Sequence, residues 1–578
     1  MSTAPHLVAL SESRAAGLPY DSRAVGRALL LPLLAMALAW TWHFHFWPTL
    51  HTANEAIRLY FVQAVVEDGV PELDRVTRRH RSVPVDRAEK DGHLYMDKAP
   101  GLSILALPVY PAVRAVWPNL DGRRLWRLGW LTCLAVVTVP LLVALRAFLR
   151  HLTATGVAPR DAVLATLALG LASPVFVYAT LLFGHGLATA CVALGVLHLA
   201  GRDPAAASRA RGLVAGLLFG YAGLTDTPLF VFGALACIWV AVRAALLADG
   251  TLPPWRGRLL AGWRASLPVA VGLAVGVAAQ LGFNAWMLGH PLNFAYEFKG
   301  DANLAAIMAQ GVLGFRPPQL DALWGLWLGS KRGLLYHAPW LVFAVIGHVG
   351  VAMRRDLPAR LRVDAAGLLA MSLAYALFVA GFADWPAGDS AGPRHLLPIV
   401  PLLAVGLGGL LTHGRLPPSA RAAVLATVAL GVLLHVPTVA TFPYHFDNLQ
   451  MPVLDLGWPL AVTGFFSPSL GRLLGWSDWL SAATFACLVL LPWLLLLRLP
   501  PAPPPPESPP ARSGMVLAMA AGLTVAWLTV LVSGTSYPGR TVELARFRAQ
   551  TMLGASADER DGNKEWQAMM REAQQNRP

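Results

Sequence analysis

From residue 28 onward the chain is a succession of long apolar runs that carry almost no charge. They fall near 28–47, 126–149, 161–182, 186–200, 212–225, 227–247, 265–288, 333–352, 364–382, 395–412, 421–441, 479–499 and 513–532. A helix needs about 17–25 apolar residues to cross the hydrocarbon core of a bilayer, and several of these runs sit near the lower limit. Composition agrees: 56% of the 578 residues are hydrophobic and 14% charged, against about 25% charged in soluble domains. The expectation is an all-α polytopic membrane protein with about 13 transmembrane helices.

The net charge of +13 does not mark a nucleic-acid binder, because the basic residues cluster between apolar runs and form no stripe interleaved with stacking aromatics. Cys133, Cys191, Cys237 and Cys487 all lie inside apolar runs, which excludes a disulfide framework or a CxxC metal site. The first run lacks a small-residue cleavage site and reads as a retained helix. One further run, Pro100 to Trp117, is interrupted by Pro108 and Pro111. If it lies in the interface, Arg146, Arg150, Arg202, Arg211, Arg256, Arg264, Arg354, Arg362, Arg421 and Arg498 all fall on the cytoplasmic side; if it spans, they invert. The positive-inside rule selects the first arrangement.

The domain scheme follows. Residues 1–27 are a cytoplasmic N-terminus and 28–532 a transmembrane domain. The outer (periplasmic) segments are 48–125, 289–332, 383–394 and 442–478, with a periplasmic tail at 533–578. The Pro-rich stretch 500–511 is a cytoplasmic linker, semi-rigid in polyproline form. No internal repeat is evident.

The chemistry-bearing residues cluster in the first outer loop. It begins His51-Thr52-Ala53-Asn54-Glu55-Ala56-Ile57-Arg58, where Ile57, Phe61, Ala64 and Val65 recur at helical spacing. This predicts a short interfacial amphipathic helix, capped by Thr52 or Asn54, with Glu55 near the positive end of its dipole. Helix capping alone accounts for Glu55. A carboxylate emerging at the bilayer surface is also placed to take a proton from an acceptor hydroxyl. The loop closes Tyr95-Met96-Asp97-Lys98-Ala99-Pro100-Gly101. Asp97 and Lys98 are either a solvated helix start, or a phosphate contact from Lys98 with Asp97 orienting it or holding a divalent cation.

Taken in this order, the Asn54-Glu55 pair after the first helix, the Tyr-Met-Asp-Lys-Ala-Pro-Gly closure and the helix layout resemble the GT-C superfamily of membrane glycosyltransferases. The likeness is to the branch with the protein mannosyltransferases and aminoarabinose transferases, and it is strongest in the N-terminal half. It implies a GT-C-like fold in a bacterial inner membrane and inverting transfer of a sugar from a polyprenyl-phosphate carrier to a lipid, glycan or protein acceptor. It also implies catalytic roles for Glu55 and Asp97 and substrate contacts from Asn54, Arg58 and Lys98, with a divalent metal ion as candidate cofactor at Asp97. The family pattern is Asp-Glu with the Asp as base, whereas this chain has Asn54-Glu55. Either Glu55 takes over the proton, or another carboxylate serves, or the chain is an inactive relative.

Further candidates are His185 and Asp226, in short turns between spans, and Arg394, Lys331 and Arg332 at outer helix ends. Guanidinium and ammonium groups suit a phosphate leaving group, though helix anchoring is the stronger reading for Lys331, and His185 and Asp226 are equally read as polar caps of membrane helices. A transporter or flippase of a lipid-linked molecule is the alternative. It requires paired charges at mid-span, whereas the ionisable groups here gather at helix ends. A regulatory membrane protein whose loop binds a partner is the third reading.

Cysteines introduced at 70–95 or 540–575 are expected to react with a membrane-impermeant maleimide added from outside, and those at 202–211 or 500–511 to stay unlabelled. Labelling at 202–211 would mean that the Pro100 run spans.

Overall fold

The computed structural model describes residues 22–499 apart from 47–49, 51, 121–123, 202–207, 249–253, 415, 446–448 and 463. The predicted span 513–532, the linker 500–511 and the tail 533–578 lie outside the described residues. The protein is all-α and polytopic: among the described residues seven helices are long and apolar enough to cross a bilayer, namely Leu125–Ala154, Leu229–Leu246, Trp255–Leu288, Ala359–Val379, Arg394–His413, Pro418–Ala440 and Asp478–Leu497. Shorter apolar helices cover Leu29–Trp42, Gly184–Leu199, Leu341–Met353 and Val453–Val462. Leu34, Leu246, Leu259, Leu494 and Leu497 are among many apolar side chains left exposed on these helices, the surface that lipid covers.

Two expected spans are broken by proline. The 161–182 run is helical over Pro159–Leu171, turns at Ser173-Pro174 and resumes only for Val175–Tyr178. The 333–352 run divides into Leu334–His337 and Leu341–Met353 around Pro339. In both, the proline removes a backbone donor and its ring clashes with the preceding turn. The Pro100 run behaves the same way, forming Gly101–Ala106 and Val109–Val116 with Pro108 between them.

Helix packing rests on glycine. Gly212, Gly216 and Gly220 recur every fourth residue along Arg209–Thr225 and face Gly272 and Gly276 of the long helix Pro254–Leu288. A Cβ on Gly216 would collide with the Val269 carbonyl, and one on Gly276 with the Gly220 backbone. Gly347 and Gly406 make a second such crossing between Leu341–Met353 and Val400–His413. In lipid, where apolar burial gives little drive for association, such close backbone approach supplies the dispersion contact that holds helices together.

Helix Ala53–Gln63 starts as expected, with Thr52 accepting the Glu55 N–H at 3.3 Å. Its predicted apolar residues Ile57, Phe61 and Ala64 are buried, but so are Arg58, Leu59, Tyr60 and Val62. Instead of lying open on an interface, this helix is enclosed by protein. Among the described residues the only sheet is an antiparallel hairpin of Arg87–Lys90 and His93–Met96. Asp91 and Gly92 form its turn with φ of 52° and 81°, the conformation that matches strand twist in two-residue hairpins. Arg87 pairs with Met96, so the flanking residues Asp86 and Asp97-Lys98 are brought side by side.

Gly216→Val is expected to destabilise the detergent-solubilised protein by about 1–3 kcal/mol, read as a lower thermal midpoint. Gly350, whose Cβ would meet nothing within 4 Å, should accept Ala without loss.

Candidate active site

The hairpin delivers an ion-pair cluster to one wall of a cavity of about 690 Å³. Lys98 lies 3.1 Å from Asp86 and 3.4 Å from Asp97, and Lys299 pairs with the other oxygen of Asp97. Burial disfavours the charges of both Lys98 and Asp86, yet each outweighs it for the other. The Lys98 ammonium titrates above its ordinary value, and Asp86 is held below the usual carboxylate range by Lys98 and Lys299. Asp97 is fully buried behind this cluster. Its two lysine neighbours occupy the place expected for a cation, so the structure offers it no separate metal role.

Arg58 projects from the 53–63 helix into the same cavity, its Nε donating to Asn54 Oδ1 at 3.1 Å and a terminal nitrogen to the Ala99 carbonyl at 3.1 Å. Gly184 makes room for it, since a Cβ there would stand 3.2 Å from the guanidinium. Arg394 also lines the cavity, with its guanidinium 5.7 Å from the Phe183 ring centroid and its Nε without a protein partner. Asn54, Lys98, Lys299, His185, His395 and Asp226 complete the polar wall. Burial pushes the Asp226 carboxyl up to about 6, with Arg394, Arg58 and Lys98 pulling it back. Segments 304–315 and 378–382 add an apolar wall that includes Met308, Val312, Phe315, Phe378 and Phe382.

Glu55 sits behind this cavity. It is 0% exposed, and its carboxyl accepts the Tyr444 hydroxyl at 2.9 Å from each oxygen and the Leu182 N–H at 3.2 Å. Tyr444 itself lines the cavity, so Glu55 communicates with it through the phenol. Burial raises the Glu55 pKa to about 8, with the hydrogen bonds from Tyr444, Leu182 and Thr52 opposing the rise.

Arg332 departs from expectation. It is 1% exposed and donates to the carbonyls of Pro386, Gly388 and Ser390. These bonds brace the loop where Ala387 takes a φ of 68°, a conformation that costs a non-glycine residue energy and needs outside support. The structure therefore gathers Asn54, Arg58, Lys98, His185 and Arg394 at one cavity, sets Glu55 and Asp97 just behind its wall, and gives Arg332 a bracing place. Sequence reasoning missed Asp86 in the first loop, His395 beside Arg394, and Lys299 and Tyr444, which come from segments distant from that loop. Only the Asp-Gly turn at 91–92, a hairpin signal, could have pointed to Asp86.

No family model and no curated protein matches the sequence. Among solved structures the chain is similar to ArnT from Cupriavidus metallidurans in the apo state, at 20% identity over 89% of this chain and 78% of that one, with a TM-score of 0.45. It is similar to ArnT from the same organism bound to undecaprenyl phosphate, at 16% identity over the same shares and a TM-score of 0.43. A third likeness is to the archaeal oligosaccharyltransferase AglB from Archaeoglobus fulgidus in complex with an inhibitory peptide and a dolichol-phosphate. There the identity is 13%, the cover 84% of this chain and 61% of that one, and the TM-score 0.40.

The raised pKa of Glu55 has a consequence for stability. Between the unfolded value of 4.5 and about 8 the folded protein keeps a proton that the unfolded chain has lost. This contribution is complete below the unfolded value and is lost as pH rises through about 8. The thermal midpoint of the wild type should accordingly fall from pH 6 to pH 9. Glu55→Gln, which cannot ionise, should flatten that slope, and an unchanged slope would mean that Glu55 is not the group responsible.

Proposed function

We propose that the protein is a membrane glycosyltransferase that transfers a sugar from a polyprenyl-phosphate carrier to an acceptor hydroxyl, with inversion. One observation carries this reading: a single cavity is lined both by Arg58, Lys98, Lys299 and Arg394 and by the apolar side chains of 304–315 and 378–382. That pairing suits a molecule with a phosphate at the end of a hydrocarbon chain. The resemblance of the Asn54-Glu55 and Tyr95–Gly101 motifs to the GT-C superfamily adds the sugar and the reaction.

In this mechanism the acceptor oxygen attacks the anomeric carbon while the bond from that carbon to the phosphate oxygen breaks. The departing electron pair stays on the phosphate, whose growing charge Arg394 and Arg58 stabilise. The acceptor proton passes to the Tyr444 oxygen as the Tyr444 proton moves to Glu55. An ionised Glu55 with a pKa near 8 is a stronger base than an ordinary carboxylate, which favours the transfer. A single displacement inverts the anomeric configuration.

The test uses purified full-length protein in proteoliposomes with radiolabelled polyprenyl-phosphate sugars and membrane extract. Label is expected to leave the carrier. Arg394→Ala should weaken use of the donor by about 1.5–3 kcal/mol, read from the ratio of kcat/KM values, and Arg394→Lys should recover only part of it. Glu55→Gln should cut turnover by about 10²–10⁴ while sparing carrier binding. If label stays on the carrier across all sugars and extracts, the reading fails. If transfer survives in Glu55→Gln, the base is another cavity carboxylate.

A further inference from the structure

His185, Asp226 and His395 come from three separate segments: the start of helix Gly184–Leu199, the residue ending helix Arg209–Thr225, and the turn Arg394–Ile399. All three line the cavity, and one ligand atom from each lies within 4.8 Å of the others. His185 is 6% exposed and His395 8%. Neither ring nitrogen of His185 has a hydrogen-bond partner in the protein, nor has Nε2 of His395. Buried polar atoms left unpaired are costly, and two histidines gathered on one carboxylate call for a partner.

A direct hydrogen bond does not supply it. Nε2 of His185 stands 3.7 Å from Oδ2 of Asp226, beyond the range of an N–H···O bond. The separation is near the spacing of about 3.3 Å between two ligands of a tetrahedral ion with bonds of about 2.0–2.1 Å. The His395 ring is fixed by a hydrogen bond to the Asp384 backbone, the outer contact that typically orients a metal-ligating imidazole. Two imidazoles and one carboxylate suit Zn2+ and its neighbours; Mg2+ and Ca2+ take oxygen ligands.

Arg394, Arg58 and Lys98 face this cluster and oppose a cation. Among the lining side chains, four carboxylates, Asp86, Asp226, Asp384 and Asp389, balance the four cations Arg58, Lys98, Lys299 and Arg394. A divalent ion would tip that balance towards positive and add to the cavity's hold on an anionic phosphate.

We infer that His185, Asp226 and His395 form a three-ligand site for a divalent transition-metal ion of the Zn2+ class, with its fourth position open to the cavity for a phosphate oxygen. The phosphate ligand rests on the glycosyltransferase reading; the ion site does not.

Full-length protein without an affinity histidine tag, stripped with chelator and titrated with Co2+, tests this. It should take up about one ion per chain with the intense visible absorption of four-coordinate Co2+, and Zn2+ should displace the colour and raise the thermal midpoint. His185→Gln and His395→Gln should each abolish the absorption and the thermal shift, whereas His337→Gln, away from the cavity, should keep both. Adding a short-chain polyprenyl phosphate should change the Co2+ spectrum. Wild type that takes up neither ion overturns the site, as does uptake that persists in the His185→Gln/His395→Gln double variant. Because the wild-type titration needs no variant, misfolding of a substituted chain does not rescue the idea. A Co2+ spectrum indifferent to the lipid phosphate removes the fourth ligand alone. Sugar transfer with no bound ion leaves the enzyme reading standing without the metal, and a bound ion with no sugar transfer does the reverse.

Discussion

A carboxyl group with no solvent exposure is the point on which the cavity's geometry turns. Glu55 joins three stretches of chain: its own helix at 53–63, the proline-broken turn whose Leu182 N–H it accepts, and the segment that presents Tyr444. An ionised carboxylate left unpaired in such a place would be very costly. It persists because three hydrogen bonds converge on it and because its proton is held to about pH 8. The neighbouring residues Asn54 and Arg58 are fixed by the same helix, one turn apart, and reach the cavity as a bonded pair. Moving Glu55 would therefore move the cavity's polar wall.

The membrane architecture was legible because its signal is long and redundant. Each apolar run repeats the same message over many residues, and every run expected between 28 and 499 carries helix. The exceptions are also physical: Pro174 and Pro339 divide runs whose hydrophobicity is uninterrupted, so hydropathy alone sets the limits of an apolar segment and leaves the helix inside it to backbone donors. The glycine ladder at Gly212, Gly216 and Gly220 is readable in the sequence as a spacing, but its partner helix is not.

The cavity was legible only in part, for a different reason. Asn54, Arg58 and Lys98 belong to motifs that are local in sequence. Lys299, Tyr444 and His395 reach the same place from positions 200 to 390 residues away in sequence from the first loop. No spacing rule connects them. Arg332 shows the converse difficulty: a basic residue at an outer helix end fits a phosphate contact by type and location, while its donors are committed to three loop carbonyls. Residue type proposes a role, and the available partners decide it.

The substitution of Asn54 for the acid seen in the resembling family can be understood from the same contacts. A carboxylate at position 54 would sit on the cavity wall against the Nε of Arg58 and would tie up a guanidinium suited to phosphate. An amide accepts the same bond through Oδ1 without a charge and leaves the guanidinium's positive charge unneutralised. The acid–base function would then have to be carried one residue further, at Glu55, where the chain faces protein and not the cavity. A phenol placed between carboxylate and cavity solves that geometric problem, since Tyr444 can accept a proton on its cavity side while donating its own to Glu55. In the proposed mechanism Asn54, Glu55, Arg58 and Tyr444 would act as one device, an uncharged first position leaving Arg58 to the phosphate and the phenol carrying the proton to Glu55.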